Sequence, residues 1–185
     1  MQPENKAPSS SLKKELIDWL IAIVVAVIVA VFITQVVIVN AEVPSESMEN
    51  TIITGDRVLG LRPSYWFNVP KRGDIIIFRF PDDEEVLFVK RVVGLPGETV
   101  ELREGKVYIN GSSVALDEPY LKEPPRTSTM EASGTYVVPE GHYFVMGDNR
   151  NNSNDSRYWN NTFVAEDKII GRAWLRVYPN PGVLK

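Results

Sequence analysis

The chain has 185 residues, a net charge of −4, one histidine and no cysteine. The acidic balance leaves no basic field to neutralise phosphates, which argues against a nucleic-acid partner. The lack of thiols excludes disulfides, cysteine nucleophiles and thiolate metal sites, and a single histidine excludes most histidine metal sites.

Residues 1–11 are polar and rich in Pro, Ser and Asn, which predicts a disordered tail. From Trp19 to Ala41 no residue is charged, and most are Ile, Val, Ala or Leu. A helix needs roughly 20 such residues to cross a bilayer, so the expectation is a transmembrane anchor over residues 16–40. A buried core helix of this length would be too long for a domain this small. A cleaved signal peptide is the rival, because Val39-Asn40-Ala41 resembles a small-residue cleavage site. The apolar stretch, however, exceeds the roughly 7–15 residues usual for a signal peptide. Lys6, Lys13 and Lys14 precede the span, whereas Arg57 is the nearby basic residue after it. That asymmetry predicts residues 1–15 in the cytoplasm and residues 41–185 outside. A missing disulfide framework does not contradict an outside location in a bacterium that makes few disulfides.

Beyond Asn40 short β-type runs follow. Asp74–Phe80 comes after the turn signal Lys71-Arg72-Gly73, and Val86–Val93 closes on Gly94-Leu95-Pro96-Gly97. Thr99–Leu102 and Lys106–Ile109 flank Arg103-Glu104-Gly105 and predict a hairpin that ends at Asn110-Gly111. Residues 112–134 are rich in Pro, Ser, Thr and Glu and predict a loop. A small non-catalytic excursion is therefore expected over about 105–138. Tyr136–Val138, His142–Met146 and Ile169–Tyr178, the last broken by Gly171, complete a mostly β domain. The cluster Tyr65-Trp66-Phe67 fits either the core or a membrane interface, where Trp and Tyr are favoured.

The stretch Val43-Pro44-Ser45-Glu46-Ser47-Met48 offers two hydroxyls two residues apart, directly after the apolar run. A serine hydroxyl is a poor nucleophile until a base takes its proton. His142 lies in an ordinary strand pattern and reads as structural, which leaves Lys, Asp or Glu. On a strand, Val86, Phe88, Lys90 and Val92 share one face. Burial against that face would lower the pKa of Lys90 toward the range a general base needs. The alternative is a strand-edge lysine whose amine snorkels to water.

Four stretches in this order resemble the signature boxes of bacterial type I signal peptidases, with the short chain and single anchor of the Gram-positive branch. They are Pro44–Met48; Arg72-Gly73-Asp74; Lys90-Arg91-Val92-Val93-Gly94-Leu95-Pro96-Gly97-Glu98; and Gly147-Asp148-Asn149-Arg150 through Ser153, Asp155, Ser156 and Arg157. The resemblance implies an N-terminal transmembrane helix followed by a mostly β, signal-peptidase-like catalytic domain, a fold class shared with self-cleaving repressors of the SOS type. It implies Ser47 as nucleophile and Lys90 as general base. Ser45, with the backbone N–H of Ser47, would form the oxyanion hole, and Ser153 would orient the lysine amine. Asp148, Asp155, Arg91 and Arg157 would shape the site, with ion pairs Asp148–Arg91 and Asp155–Arg157. Val43, Pro44, Ile52, Phe88 and Val89 would line a shallow slot for small residues of an Ala-x-Ala cleavage site.

The same resemblance implies exported preproteins, a lipid bilayer and the secretion translocon as partners, and a cell-membrane location. It implies no metal or cofactor. Three positions depart from the family pattern, none of them catalytic. Asn50 replaces a proline, Asn151 replaces an acidic residue and Asn160 replaces a glycine. Two rivals share the fold class. A self-cleaving repressor would need an N-terminal DNA-binding domain where this chain carries an apolar span. A catalytically silent, membrane-anchored binding module would usually have lost one of Ser47, Lys90 and Ser153.

Overall fold

The computed structural model describes residues 9–127 and 133–184, with side chains from Leu12 onward. Most of the polar tail, and part of the 112–134 loop, lie outside the described residues. The chain divides into two units between Val37 and Ile38.

The first unit is α1, Ser9–Phe32, followed by a wider π-type turn, Ile33–Val37. The 26 residues Leu12–Val37 are long and apolar enough to cross a membrane. At about 1.5 Å per residue they exceed the roughly 30 Å of a hydrocarbon core. Helix and apolar run do not coincide. The helix starts at Ser9 rather than residue 16, and the run's last residues belong to β1, Ile38–Glu42. Val39 and Ala41 are buried while Asn40 between them is exposed, the two-residue period of a strand. Periodicity could not separate this β-branched end from the helix before it, so the expected boundary at residue 40 moves to Val37.

The second unit is all β apart from short 3-10 turns. In β2, Arg57–Leu61, a strand without a clear sequence signal, Gly60 is required by packing. A Cβ there would lie 2.6 Å from Ile77 Cδ1 and 2.8 Å from Val39 Cγ1. The runs expected at 74–80 and 86–93 form β3, Ile75–Phe80, and the longer β4, Asp83–Gly94. The hairpin forms as β5, Thr99–Arg103, and β6, Lys106–Ile109, joined in a three-stranded sheet by β7, Gly134–Val137. Then come β8, His142–Met146; β9, Val164–Ala165; β10, Ile169–Tyr178; and β11, Gly182–Val183. The main sheet runs β1-β2-β10-β3-β4-β8-β9, with β11 on β10 and every pairing antiparallel. The register of β10 shifts between Ile169 and Gly171, where the sequence signalled a break.

Burial of apolar side chains holds these strands together, at about 1.5–3 kcal/mol per fully buried large residue. One cluster joins Val39, Val43, Met48, Ile52, Ile75, Ile77 and Val89, tying the serine-rich stretch to β3 and β4. A second packs Phe78, Val92, Tyr143 and Trp159 with Phe88 and Tyr65. The aromatic cluster therefore divides residue by residue. Tyr65 packs on the core and donates to Asp74 Oδ2 at 3.0 Å, whereas Phe67 is 91% exposed.

Candidate active site

Ser47 sits in a 3-10 turn, Glu46–Met48, directly after the extended Ser45. Met48 is fully buried in the first core cluster and fixes the turn from below. Opposite it, in the middle of β4, stands Lys90. Its Nζ lies 2.6 Å from Ser47 Oγ and 3.3 Å from the carbonyl of Val89. Both residues are buried, at 5% and 4% exposure, so the snorkelling alternative for Lys90 does not hold. Ser45 Oγ is 3.1 Å from Ser47 Oγ and is itself exposed.

Burial lowers the Lys90 amine from its ordinary value to about 8; Asp155 and Asp148 pull it back up, and Arg157 adds to the lowering. The burial is not supplied as the face pattern suggested. Val86 is 42% exposed and does not wrap the amine, while Phe88 does, its ring centroid 5.2 Å from Nζ. Val92 belongs to the aromatic core beyond.

Behind the lysine, the polar turn after β8 carries two buried ion pairs, both expected. Arg91 donates from Nε and Nη2 to the two oxygens of Asp148, at 2.8 and 2.7 Å, and from Nη1 to the carbonyl of Gly73 at 2.7 Å. Arg157 grips both oxygens of Asp155 at 2.8 and 2.9 Å. Burial opposes the charge on Asp155, but Arg157, the Gly147 N–H and the Ser153 hydroxyl overcome it and hold the carboxyl below the usual range. The stability this contributes is complete above the ordinary carboxylate pKa and fades as pH falls through the lowered one.

Ser153 is a correction. Its hydroxyl donates to Asp155 Oδ2 at 2.7 Å, and among the described residues it makes no hydrogen bond to Lys90. The carboxylate two residues away takes its proton. Ile52 is a second correction: it is fully buried in the core and does not line the slot. A cavity of about 360 Å³ is lined by Val43, Pro44, Phe88 and Val89. Val86, Leu87, Glu42, Asn152 and Asn154 line it too, and Ser45, Ser47 and Lys90 stand at its polar end. His142 lies at the start of β8 with Nδ1 2.9 Å from the Glu140 carbonyl, and its contacts are structural.

The excursion is also closer to the site than its sequence suggested. Its sheet starts at Thr99 rather than about 105, and the segment after β6 reaches the polar turn. Tyr120 covers the Arg91 guanidinium at 4.0 Å, and Glu118 pairs with Arg150. No sequence pattern signals these contacts. Asn151, the departure from an acidic residue, bonds across to Glu123, Pro124 and the Arg126 N–H instead. Among the described residues no cluster of His, Asp and Glu could hold a metal ion.

Gly147 is where the pieces meet. A Cβ there would fall under 3.0 Å from Ser153 Oγ, Ser153 Cβ and the Ser47 carbonyl oxygen. Gly147→Ala is therefore expected to cost about 1–3 kcal/mol of stability, because the clash involves backbone that cannot swing aside. It should also cut turnover at least tenfold at temperatures where the variant is folded. Thermal unfolding and steady-state kinetics measure both, and normal turnover in the variant would contradict the packing argument.

Comparison with known proteins fits this geometry. The family described as signal peptidase, peptidase S26, matches residues 16–178. A probable signal peptidase I-2 of Synechocystis is 42% identical over 146 residues, covering 76% of this chain and 63% of its own length. A probable signal peptidase I-1 of the same organism is 38% identical, covering 94% of this chain and 86% of the relative. Signal peptidase I S of Bacillus subtilis is 35% identical, covering 94% and 95%. The chain thus spans under two thirds of one relative and nearly all of another. By its match to the family and to these relatives, the chain belongs to the signal peptidase family, peptidase S26, among the bacterial type I enzymes.

Proposed function

We propose that this protein is a membrane-bound serine endopeptidase that removes N-terminal signal peptides from exported preproteins through a Ser47–Lys90 dyad. The observation that carries the reading is the buried Lys90 amine 2.6 Å from Ser47 Oγ, at the polar end of an apolar slot. With Lys90 neutral, its lone pair takes the Ser47 proton as Oγ attacks the scissile carbonyl. The oxyanion that forms is met by the Ser45 hydroxyl and the Ser47 N–H; one such donor is typically worth about 10²–10³ in rate. The Lys90 ammonium then returns its proton to the leaving amine, leaving an acyl ester on Ser47. A water molecule, deprotonated by the same amine, releases the signal peptide and regenerates Ser47. Asp155 and Asp148 stabilise the Lys90 ammonium that forms in this step, and Ser153 acts through Asp155.

The slot's walls reject large side chains, which favours small residues such as the alanines of an Ala-x-Ala site. Residues 1–15 face the cytoplasm, the apolar helix anchors the chain, and the β unit works outside. Anchoring to the membrane raises the effective concentration of substrates that pass through it. The bilayer and the translocon are the partners this arrangement implies.

The test is cleavage of an Ala-x-Ala preprotein by the detergent-solubilised full chain, beside Ser47→Ala and Lys90→Ala, from pH 6 to 10. The expected result is a cut after the second Ala, two dead variants, and activity rising through about pH 8 as Lys90 loses its proton. Cleavage by Lys90→Ala would place the base elsewhere. An inactive unmodified protein would favour a silent binding module.

A further inference from the structure

We infer that Glu118 and Tyr120, on the segment between β6 and β7, are positioning residues for Ser47, clasping the polar turn that holds the backbone of the nucleophile. The inference rests on the reading of Ser47 as nucleophile.

The chain of contacts starts at the serine. The Asn149 N–H donates to the Ser47 carbonyl at 3.0 Å, and Asn149 Nδ2 donates to the Glu46 carbonyl at 3.1 Å. The orientation of the Glu46–Ser47 backbone, and with it the aim of Oγ and of the Ser47 N–H, is thus held by residue 149 on one side, with buried Met48 and the Glu49 N–H on the Glu46 carbonyl at 3.1 Å on the other. The next residue, Arg150, is buried at 3% exposure. Its Nε donates to the Gly147 carbonyl at 3.1 Å, and its Nη1 donates to Glu118 Oε2 at 3.1 Å, with Nη2 on Oε1. Glu118 is the carboxylate paired with that buried guanidinium. Removing its charge leaves Arg150 buried with a weaker partner, a costly state that the turn relieves by moving.

Tyr120 supports the clasp from two sides. Its hydroxyl donates to Glu118 Oε1 at 2.9 Å, and its ring covers Arg91, whose partner Asp148 lies in the same turn. Two residues on, the Lys122 N–H donates to the Asp148 carbonyl at 3.3 Å, and its amine pairs with Glu49 beside the serine turn. No hydrogen bond of Glu118, Tyr120 or Lys122 reaches Ser47 or Lys90, so the segment acts through the turn and not on the substrate. A misplacement of about 1 Å at a reacting atom can cost on the order of 10² in rate.

The experiment uses the full chain in detergent, unmodified and as Glu118→Gln and Tyr120→Phe. Three quantities are read at a temperature where thermal unfolding shows each protein folded: kcat, KM, and the rate at which an ester analogue of the cleavage-site peptide acylates Ser47, trapped by acid and located by mass. Glu118→Gln is expected to lower kcat and the acylation rate together by about 10–100-fold, with KM within about twofold. Tyr120→Phe keeps the ring over Arg91 and loses the bond to Glu118, so a smaller loss of the same kind is expected, and this variant carries the test should Glu118→Gln fail to fold. A lowered unfolding temperature with kcat and acylation unchanged would overturn the inference, as would a rise in KM alone. Failure of the unmodified protein to acylate at Ser47 would instead remove the nucleophile reading beneath it.

Discussion

Lys90→Met is expected to reduce turnover by on the order of 10⁴-fold or more and, in the same molecule, to stabilise the fold. The two effects share one cause. Burial holds the amine at about 8, well below its ordinary 10.5. A lowered lysine pKa means that the folded state binds the proton less tightly than the unfolded chain does. Below about pH 8 both states carry the proton, and the folded state bears the whole cost of a charge in a poorly solvated site. At 1.36 kcal/mol per pH unit that cost is about 3 kcal/mol. Between pH 8 and 10.5 the folded protein sheds the proton first and the cost fades; above 10.5 it is gone. Methionine fills a similar volume without charge. The variant should therefore unfold later than the unmodified protein at pH 7, with the difference vanishing above about pH 10.5. Unfolding in denaturant across that range measures it. A variant no more stable at pH 7 would mean that the amine is well solvated, and Lys90 would lose its qualification as a base at neutral pH. Ser47 keeps Ser45 Oγ at 3.1 Å, so the serine turn should survive the change.

The main strands were legible where alternation and turn chemistry agreed. β3 follows Arg72-Gly73, and the β5–β6 hairpin closes on Glu104-Gly105, where both residues take positive φ. Less legible were elements whose pattern had two physical readings. β1 is hidden in an apolar run because β-branched residues serve the end of a membrane helix and a buried strand equally well. β2 is short and contains Gly60, which local propensity reads as a break, although the approach of Ile77 and Val39 requires it. At the site, residue types in signature order pointed to Ser47 and Lys90, which the fold brings within 2.6 Å, and to both ion pairs. They could not orient side chains. Ser153 turns to Asp155 because the carboxylate is local, and Ile52 turns inward because the core beneath Met48 needs it. Glu118 and Tyr120 carried no signal at all, since they are separated from Arg150 and Arg91 by roughly thirty residues of chain and belong to a loop.

Arg91→Met is expected to be strongly destabilising. Arg91 and Asp148 have side chains 3% and 0% exposed, and the arginine supplies two of the bonds to that carboxylate and one to the Gly73 carbonyl. Without it, Asp148 retains Thr51 Oγ1 at 2.5 Å but, among the described residues, no cation in an ion pair with it. Breaking a buried pair from one side typically costs about 3–5 kcal/mol, a large share of the roughly 5–15 kcal/mol that holds a domain folded. Replacing both partners, as Arg91→Met with Asp148→Leu, should cost clearly less than the sum of the two single changes, because no charge is then left behind. A second consequence reaches the chemistry. Asp148 is among the charges that raise the Lys90 pKa, so a carboxylate freed of its arginine favours the ammonium form more strongly. In whatever fraction of Arg91→Met folds, the rise of kcat/KM with pH should move to higher pH, leaving the variant weakest near neutrality and closest to the unmodified protein at alkaline pH. Denaturant unfolding of the two single variants and the double gives the first result, and pH profiles give the second. A single variant within about 1 kcal/mol of the unmodified protein would show that water replaces the guanidinium, and the turn would then owe its shape to the Glu118–Arg150 clasp rather than to this pair.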